Sequence, residues 1–102
     1  MYGKVEMCYT VVNMNLRWTN IFKSLGNINR LRIIGLLYPG QSLNVSQISR
    51  ELKISIKATS KHLYILRNLD VLAYIGRHGH VFYQMNPQLP HDIHMAIRLF
   101  LH

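Results

Sequence analysis

The chain has 102 residues, enough for one domain, and 49% of them are hydrophobic, which excludes a disordered protein. It has neither an apolar run approaching the roughly 18 residues of a membrane span nor a signal-peptide segment at its start, and we expect a cytoplasmic protein. Twelve Lys and Arg residues against four Asp and Glu give a net charge of +8, which indicates a polyanionic partner, either nucleic acid or an acidic membrane surface.

Residues 1–13 lack helical periodicity, and their β-branched and aromatic side chains fit either an N-terminal arm or an added strand. They contain the only cysteine, Cys8, which excludes an internal disulfide and a thiolate metal cluster. We assign residues 14–102 to one domain. Its first helix is predicted at about Met14–Leu25, where apolar side chains recur at helical spacing.

The second predicted helix, about Ile28–Leu37, has a favourable N-cap in Asn27 and ends before the turn-forming pair Pro39-Gly40. Its apolar residues cover a broad face, which indicates a helix at the centre of the core. Leu43 is predicted to form a strand of one or two residues that pairs with a later hairpin.

Two helices separated by a short polar break form the most informative part of the chain. The first begins at Asn44, where Asn44 and Gln47 fit a capping box, and it ends at Leu52. The second, about Ile56–Leu69, has Ser55 as its predicted N-cap. Its inward-facing residues are predicted to be Thr59, Leu63, Leu66 and Leu69. A short helix that braces a longer basic one is the arrangement that places a helix in the DNA major groove.

The β-rich runs Leu72–Ile75 and Val81–Met85 predict a hairpin with a basic tip, Gly76–His80. Pro87 ends the hairpin, and His91–Leu101 is predicted to form the final helix. The predicted fold class is mainly α with a small β-hairpin wing (α+β), a winged helix-turn-helix with about five helices and two to three short strands.

Four stretches, in this order, resemble the winged helix-turn-helix of the ArsR type, a family of small dimeric bacterial and archaeal repressors. They are residues 22–37, 46–52, 55–67 and 71–85. The third stretch resembles the family's recognition helix, "S-x-x-x-V-S-x-H-L-x-x-L-R", and the other three resemble its opening block, its third helix and its wing. The resemblance covers about residues 16–87 and implies a DNA-binding repressor.

Two residues of the fourth helix depart from the family pattern. Thr59 replaces a usually buried Val, and Ile56 stands where a polar, DNA-facing residue is common. Ile56 can touch a thymine methyl group or anchor the start of the helix, and we favour anchoring. His62 matches the family's histidine, and beside Leu63 we interpret it as a hydrogen-bonded packing residue.

Residues on the outer face of the fourth helix are predicted to reach DNA, because the N-terminal half of a recognition helix contacts base edges. Lys57 and Lys61 can donate to guanine or to phosphate, and Ser60 can bond several bases. In the wing, Arg77 is predicted to enter the minor groove, whose negative potential attracts Arg. The predicted DNA-binding residues are Ser46, Gln47, Arg50, Lys57, Thr59, Ser60, Lys61, Tyr64, Arg77, His78 and His80.

The final helix is apolar on more than one face and therefore requires cover on both sides. We predict that it joins the first helix in the twofold interface of a homodimer. The two recognition helices would then lie about one DNA turn apart, roughly 34 Å, over a near-palindromic site. The predicted interface residues are Trp18, Phe22, Ile93, Ala96, Ile97 and Phe100.

Metal-sensing members of the family use two sites with which this chain can be compared. The thiolate site on the third helix requires Cys-x-Cys, and Asn44-Val45-Ser46 excludes it. The site on the last helix begins with Asp-x-His, which Asp92-Ile93-His94 matches, with His91 beside it. The family takes its further ligands from the far end of the partner's helix, and His102 lies too close to His94 for that role. We predict no cofactor, with zinc or another divalent metal as the less favoured alternative.

A second function fits the same fold, namely a winged-helix protein-interaction module with only non-specific affinity for DNA. The position of the charge favours specific DNA binding, because six of the twelve cations lie between Arg50 and Arg77, opposed only by Glu51 and Asp70. An enzyme is not expected, because four acids and one peripheral cysteine leave no acid–base pair or nucleophile–base set at sensible spacing.

Overall fold

The computed structural model describes residues 16–101, which form five helices and a three-stranded antiparallel sheet. The helices are α1 (16–25), α2 (Ile28–Leu37), α3 (Val45–Leu52), α4 (Ile56–Asn68) and α5 (His91–Phe100). The strands are β1 (Leu43–Asn44), β2 (Leu72–Arg77) and β3 (His80–Met85). None of the helices in this range is long and apolar enough to cross a membrane. The order confirms the predicted winged helix-turn-helix, whereas the predicted arm, residues 1–13, lies outside the described residues.

The helix starts follow from their capping residues. The Asn27 side chain accepts hydrogen bonds from backbone N–H groups in the first turn of α2. At α3, the Asn44 side chain accepts from the Gln47 N–H at 2.8 Å and the Gln47 side chain accepts from the Asn44 N–H at 2.9 Å, which confirms the capping box. Ser55 Oγ accepts from the Ala58 N–H at 3.0 Å. Each such cap stabilises its helix by about 1 kcal/mol.

The turn between α3 and α4 determines how the second helix is presented. Lys53 adopts a left-handed φ of 58°, which ends α3 and reverses the chain. The Ser49 hydroxyl, only 8% exposed as a residue, donates to the Ile54 carbonyl at 2.7 Å, and the Ile54 N–H donates to the Ser49 carbonyl at 3.3 Å. Helical periodicity did not predict this reciprocal pair, which holds the start of α4 against α3.

The sheet has the order β1-β3-β2 and forms the wing. Leu43 pairs with Tyr83, which confirms the predicted short strand before α3. The hairpin of β2 and β3 extends from the buried pair Leu72 and Met85 at its base toward solvent at its tip. Because β1 leads directly into α3, the same sheet anchors both the helix-turn-helix and the wing.

The predicted wing tip, Gly76–His80, is too long. Arg77 pairs with His80 across the ladder, so that only His78 and Gly79 form the turn. Their φ angles are 51° and 77°, and positive values at both positions are what a two-residue type I′ turn requires. Such a turn matches the natural twist of the strands, and regular pairing therefore continues to the end of the hairpin.

The core lies where the helices meet the base of the wing. Its fully buried side chains, all with 0% exposure, are Ile33, Ile34, Leu37, Ile48, Leu63, Leu66 and Val71 among the apolar residues. Ile93 and Ile97 of α5 join this core at 2% and 3% exposure. Both side chains are thus largely covered within one chain, so they leave little surface for the predicted dimer interface. Periodicity marked two apolar faces on α5 but could not distinguish which one packs inside the chain.

Candidate nucleic-acid interface

Helix α4 separates a buried face from a polar outer face. Leu63 and Leu66 are fully buried, whereas the outer face carries exposed side chains. The exposed side chains include Lys57, Ser60, Lys61 and Tyr64. Lys57 and Lys61 lie four residues apart on one side of the helix. The structure thus brings four of the five predicted contacts of the recognition helix together on one surface.

Two residues at the start of α4 differ from their predicted roles. Thr59 is 0% exposed, and its hydroxyl donates to the Ser55 carbonyl at 2.8 Å. Its prediction as a DNA contact is wrong, because a side chain inside the core cannot reach a ligand. Ile56, for which we favoured a role in anchoring the helix, is 52% exposed. An exposed apolar side chain at this position is instead available to a thymine methyl group.

Helix α3 contributes two exposed candidates, Ser46 and Arg50. Gln47 is half-buried, and its side-chain oxygen already accepts from the Asn44 N–H at 2.9 Å. Only its amide nitrogen is therefore left to donate to a phosphate. In the wing, Arg77, His78 and His80 are all exposed. The Arg77 guanidinium lies 6.0 Å from the centre of the Phe82 ring, at the solvent end of the hairpin.

The positive charge of this surface is not neutralised by salt bridges among the described residues, 16–101. Among residues 16–101 the only salt bridge joins Arg17 to Asp92, with Nη1 and Oδ2 2.6 Å apart, and it connects α1 to α5. The cations of the helix-turn-helix and wing, none of them in a salt bridge within that range, are Arg50, Lys53, Lys57, Lys61, Arg67 and Arg77. The arrangement suits a polyanion with regularly spaced charges.

His62 is a packing residue, as predicted. Its Nδ1 accepts from Arg30 Nε at 3.2 Å, and Arg30 Nη1 donates to the Ser24 carbonyl at 3.0 Å. Burial, followed by the charges of Arg30 and Lys61, lowers the pKa of His62, so that the neutral acceptor form is favoured. Sequence reasoning missed Arg30, because nothing local relates two positions that lie 32 residues apart. This chain of bonds links α1 and α2 to α4.

The residues considered for a metal site have other neighbours. Asp92 accepts two hydrogen bonds from Arg17, at 2.6 and 3.0 Å, and this contact lowers the pKa of Asp92. The His94 ring lies 6.0 Å from that of Tyr38, and His91 is exposed. Within residues 16–101, no group of three His, Cys, Asp or Glu side chains is arranged to hold a metal ion. His102 lies outside the described residues.

An apolar groove lies between α1, α2 and α5, with a cavity volume of about 270 Å³. Of the predicted interface residues, Phe22 and Phe100 stand at its rim, 63% and 79% exposed. Trp18 and Ala96 line it and are half-buried, and the Trp18 and Phe22 rings lie 5.4 Å apart. Further exposed apolar residues on these helices are Leu16, Met95 and Leu99.

Comparison with known proteins finds a family model that matches the helix-turn-helix segment. A family model described as "Bacterial regulatory protein, arsR family" matches residues 27–74, from the N-cap of α2 into β2. The match includes both helices of the helix-turn-helix. No curated protein sequence matches the chain.

Solved structures extend the likeness to the whole fold. HlyU from Vibrio cholerae N16961 is 26% identical, with 85% of this chain and 95% of that chain covered and a TM-score of 0.68. The transcriptional repressor PagR of Bacillus anthracis is also 26% identical, with coverages of 89% and 97% and a TM-score of 0.68. The fold is shared by Mb0332 from Mycobacterium bovis, a homodimeric winged helix-turn-helix DNA-binding domain. It is 19% identical, with coverages of 97% and 85% and a TM-score of 0.71. Over residues 27–74 the chain is similar to the arsR family of bacterial regulatory proteins, and its described fold is similar to that of solved transcriptional regulators such as PagR.

Proposed function

We propose that this protein is a sequence-specific repressor that binds a near-palindromic operator as a homodimer in the cytoplasm. The observation that carries the proposal is the unneutralised positive charge on α3, α4 and the wing. Arg50, Lys57, Lys61 and Arg77 are exposed, and none forms a salt bridge with any residue in the range 16–101. Binding DNA through such a surface releases condensed counterions, which gives strong and salt-dependent affinity.

The N-terminal half of α4 would read the bases. The helix has 13 residues and is about 20 Å long, whereas the major groove is roughly 12 Å wide. Only one half of α4 can therefore lie deep in the groove, and Lys57, Ser60 and Lys61 occupy the half that begins at the cap. Lys57 and Lys61 can donate to guanine O6 and N7, Ser60 can bond several bases, and Ile56 can contact a thymine methyl group.

The wing and α3 would hold the protein in register. The wing tip, with Arg77 and the two histidines His78 and His80, would lie against the neighbouring minor groove and its phosphates. Ser46 and Arg50, together with the amide nitrogen of Gln47, would contact the backbone on the other side. Phosphate contacts of this kind determine position and orientation but carry no sequence information.

The groove between α1, α2 and α5 supports a homodimer. Exposed rings such as Phe22 and Phe100 next to an apolar groove are typical of a surface that another protein covers. A second copy of the chain can place its own α1 and α5 there by a twofold axis. Two linked DNA-binding modules bind much more tightly than one, because the second contact is intramolecular. The homodimeric Mycobacterium bovis domain of the same fold supports this arrangement.

The repressor role is supported by PagR, the 26% identical Bacillus anthracis protein, which is a transcriptional repressor. No cofactor forms part of the proposal. The zinc alternative at His91, Asp92 and His94 would require Asp92 to leave its ion pair with Arg17.

The experiment that tests the proposed function is the selection of bound sequences from a random DNA duplex pool, with and without Zn²⁺. We expect enrichment of a near-palindrome with half-sites about one helical turn apart. Enrichment of no sequence, with binding that remains salt-sensitive, would overturn specific regulation and favour the protein-interaction module. Release of an enriched site by Zn²⁺ would instead support the metal alternative.

A further inference from the structure

Arg67, near the end of α4, lies over two tyrosine rings. Its guanidinium carbon lies 4.6 Å from the centre of the Tyr74 ring on β2 and 6.0 Å from that of Tyr64 on α4. Both distances are within the range in which a cation is attracted to an aromatic face. Tyr64 and Tyr74 are 60% and 50% exposed, so this stack is at the protein surface rather than in the core.

The stack continues across the wing. Tyr83 on β3 is paired directly with Tyr74, and the two ring centres are 6.1 Å apart. Arg67 thus rests on an aromatic platform supplied by the sheet, while its own helix supplies Tyr64. A guanidinium that already rests on aromatic rings loses less conformational freedom when it binds a ligand. The contact also ties the end of α4 to the wing.

Within residues 16–101, the guanidinium of Arg67 has no acceptor. It makes no hydrogen bond or salt bridge with any residue of the range 16–101, although Asp70 follows it closely in the chain. By contrast, Arg17 and Arg30 use their guanidinium groups to bind Asp92, His62 and the Ser24 carbonyl. The five donors of Arg67 are therefore free for an external oxyanion, and a planar fork of donors suits a phosphate.

The position of Arg67 on α4 indicates which part of the DNA it would meet. Residues 57, 60, 64 and 67 follow each other at spacings of three or four and therefore lie along one side of the helix. Arg67 lies ten residues beyond Lys57, which corresponds to about 15 Å along the helix axis. This exceeds the roughly 12 Å width of the major groove. When Lys57 lies in the groove, Arg67 is carried to its rim, where the backbone phosphates are.

We propose that Arg67, supported by Tyr64 and Tyr74, is a preoriented contact to a DNA phosphate at the rim of the major groove. The inference rests on the proposed DNA-binding function and adds a residue to that surface which sequence reasoning left out. Because it contacts the backbone, Arg67 contributes affinity and orientation without sequence preference.

The test measures the salt dependence of binding for matched variants. Arg67→Met removes the charge but keeps a long apolar stem, Arg67→Lys keeps the charge, and Tyr74→Leu removes the ring that supports it. Arg32→Met is the control, because Arg32 is an exposed arginine on α2, outside the proposed surface. Binding to the selected site and to an unrelated duplex is measured at salt concentrations from about 50 to 200 mM, the range over which counterion release is large.

In the homodimer, Arg67→Met removes two phosphate contacts. The slope of log affinity against log salt should become smaller by about 1.8, and the loss of affinity between 50 and 200 mM should shrink by about 12-fold. This change should appear equally on both duplexes. Arg67→Lys should keep the slope but bind more weakly, because Lys lacks the planar fork. Tyr74→Leu should weaken binding with little change in slope.

An unchanged slope and affinity in Arg67→Met, with wild-type binding that is tight and specific, would overturn the phosphate contact alone. A slope reduced equally in Arg32→Met would overturn it as well, since net charge would then explain the effect. Failure of the wild-type protein to select any sequence would instead count against the proposed function. Circular dichroism melting curves identify any variant that is unfolded, and Arg67→Lys then serves as the informative substitution.

Discussion

Removal of the two outer lysines of α4 is the strongest test of the recognition helix. Lys57→Ala with Lys61→Ala replaces two exposed side chains on a helix surface, and Ala is a good helix former. Neither lysine has a salt-bridge partner in the described range, so no buried acid is left unpaired by the change. We therefore expect a folded protein whose loss of function reflects lost DNA contacts.

The magnitude follows from counting contacts. The homodimer loses four positive charges, and if each neutralises one phosphate the salt slope decreases by about 3.6. When the salt concentration rises from 50 to 200 mM, the variant should therefore lose about 150-fold less affinity than the wild-type protein loses. If the lysines instead donate to guanine, each lost contact costs about 1–3 kcal/mol for the specific site only. Comparison of specific and unrelated duplexes distinguishes the two roles.

The assay is a fluorescence anisotropy titration of the selected operator duplex over a series of salt concentrations. The matched control carries Lys23→Ala with Arg32→Ala, which removes two exposed cations from α1 and α2. The control should bind with a slope near that of the wild-type protein. If the Lys57 and Lys61 variant keeps wild-type affinity and slope while remaining dimeric, α4 does not enter the groove and the argument is refuted.

Three further predictions concern the interface, the core and a histidine. Phe100→Glu should convert the dimer to a monomer, as measured by light scattering. It should also weaken operator binding by about 100-fold or more, because the effective concentration of the second module is lost. Loss of the dimer in Leu99→Glu but not in Phe100→Glu would assign the interface to the other face of α5. Leu66→Ala should lower the free energy of unfolding by about 2–5 kcal/mol in urea titrations, because Leu66 is 0% exposed; a loss under about 1 kcal/mol would contradict its core position. Because burial and the charges of Arg30 and Lys61 lower the pKa of His62, the unfolded chain binds its proton more readily. The free energy of unfolding should therefore fall as the pH decreases below about 6.5, and it should fall less in His62→Gln. If the wild-type protein and His62→Gln lose stability equally over this pH range, His62 does not contribute to the pH dependence.

Local signals predicted the helix-turn-helix well. The caps at Asn27, Asn44 and Ser55 are formed by side chains that bond to their own first turns, so their effect is readable from a few neighbouring residues. The outer face of α4 was predicted for the same reason, because helical spacing alone separates Lys57 from Leu63. Such features depend on contacts within one turn or one helix.

The errors have a different origin. Ile93 and Ile97 were grouped with the exposed Phe100 because α5 is apolar on two faces, and periodicity does not show which of its residues the chain itself buries. Thr59 was included among the DNA contacts although its spacing faces the core, and its full burial shows that the spacing was the better guide. The two-residue turn at His78 and Gly79 also escaped prediction, because five polar or flexible residues permit several hairpin lengths.

The sequence by itself determined the order of the elements, the helix starts, the amphipathic α4 and the concentration of positive charge between Arg50 and Arg77. These properties arise from spacing, capping and composition, which are local. Only the tertiary structure decided which face of α5 is buried, that Arg30 of α2 holds His62 of α4, and that Tyr74 of the wing supports Arg67. Those contacts join residues distant in the chain, and their geometry exists only after the helices have packed against the sheet.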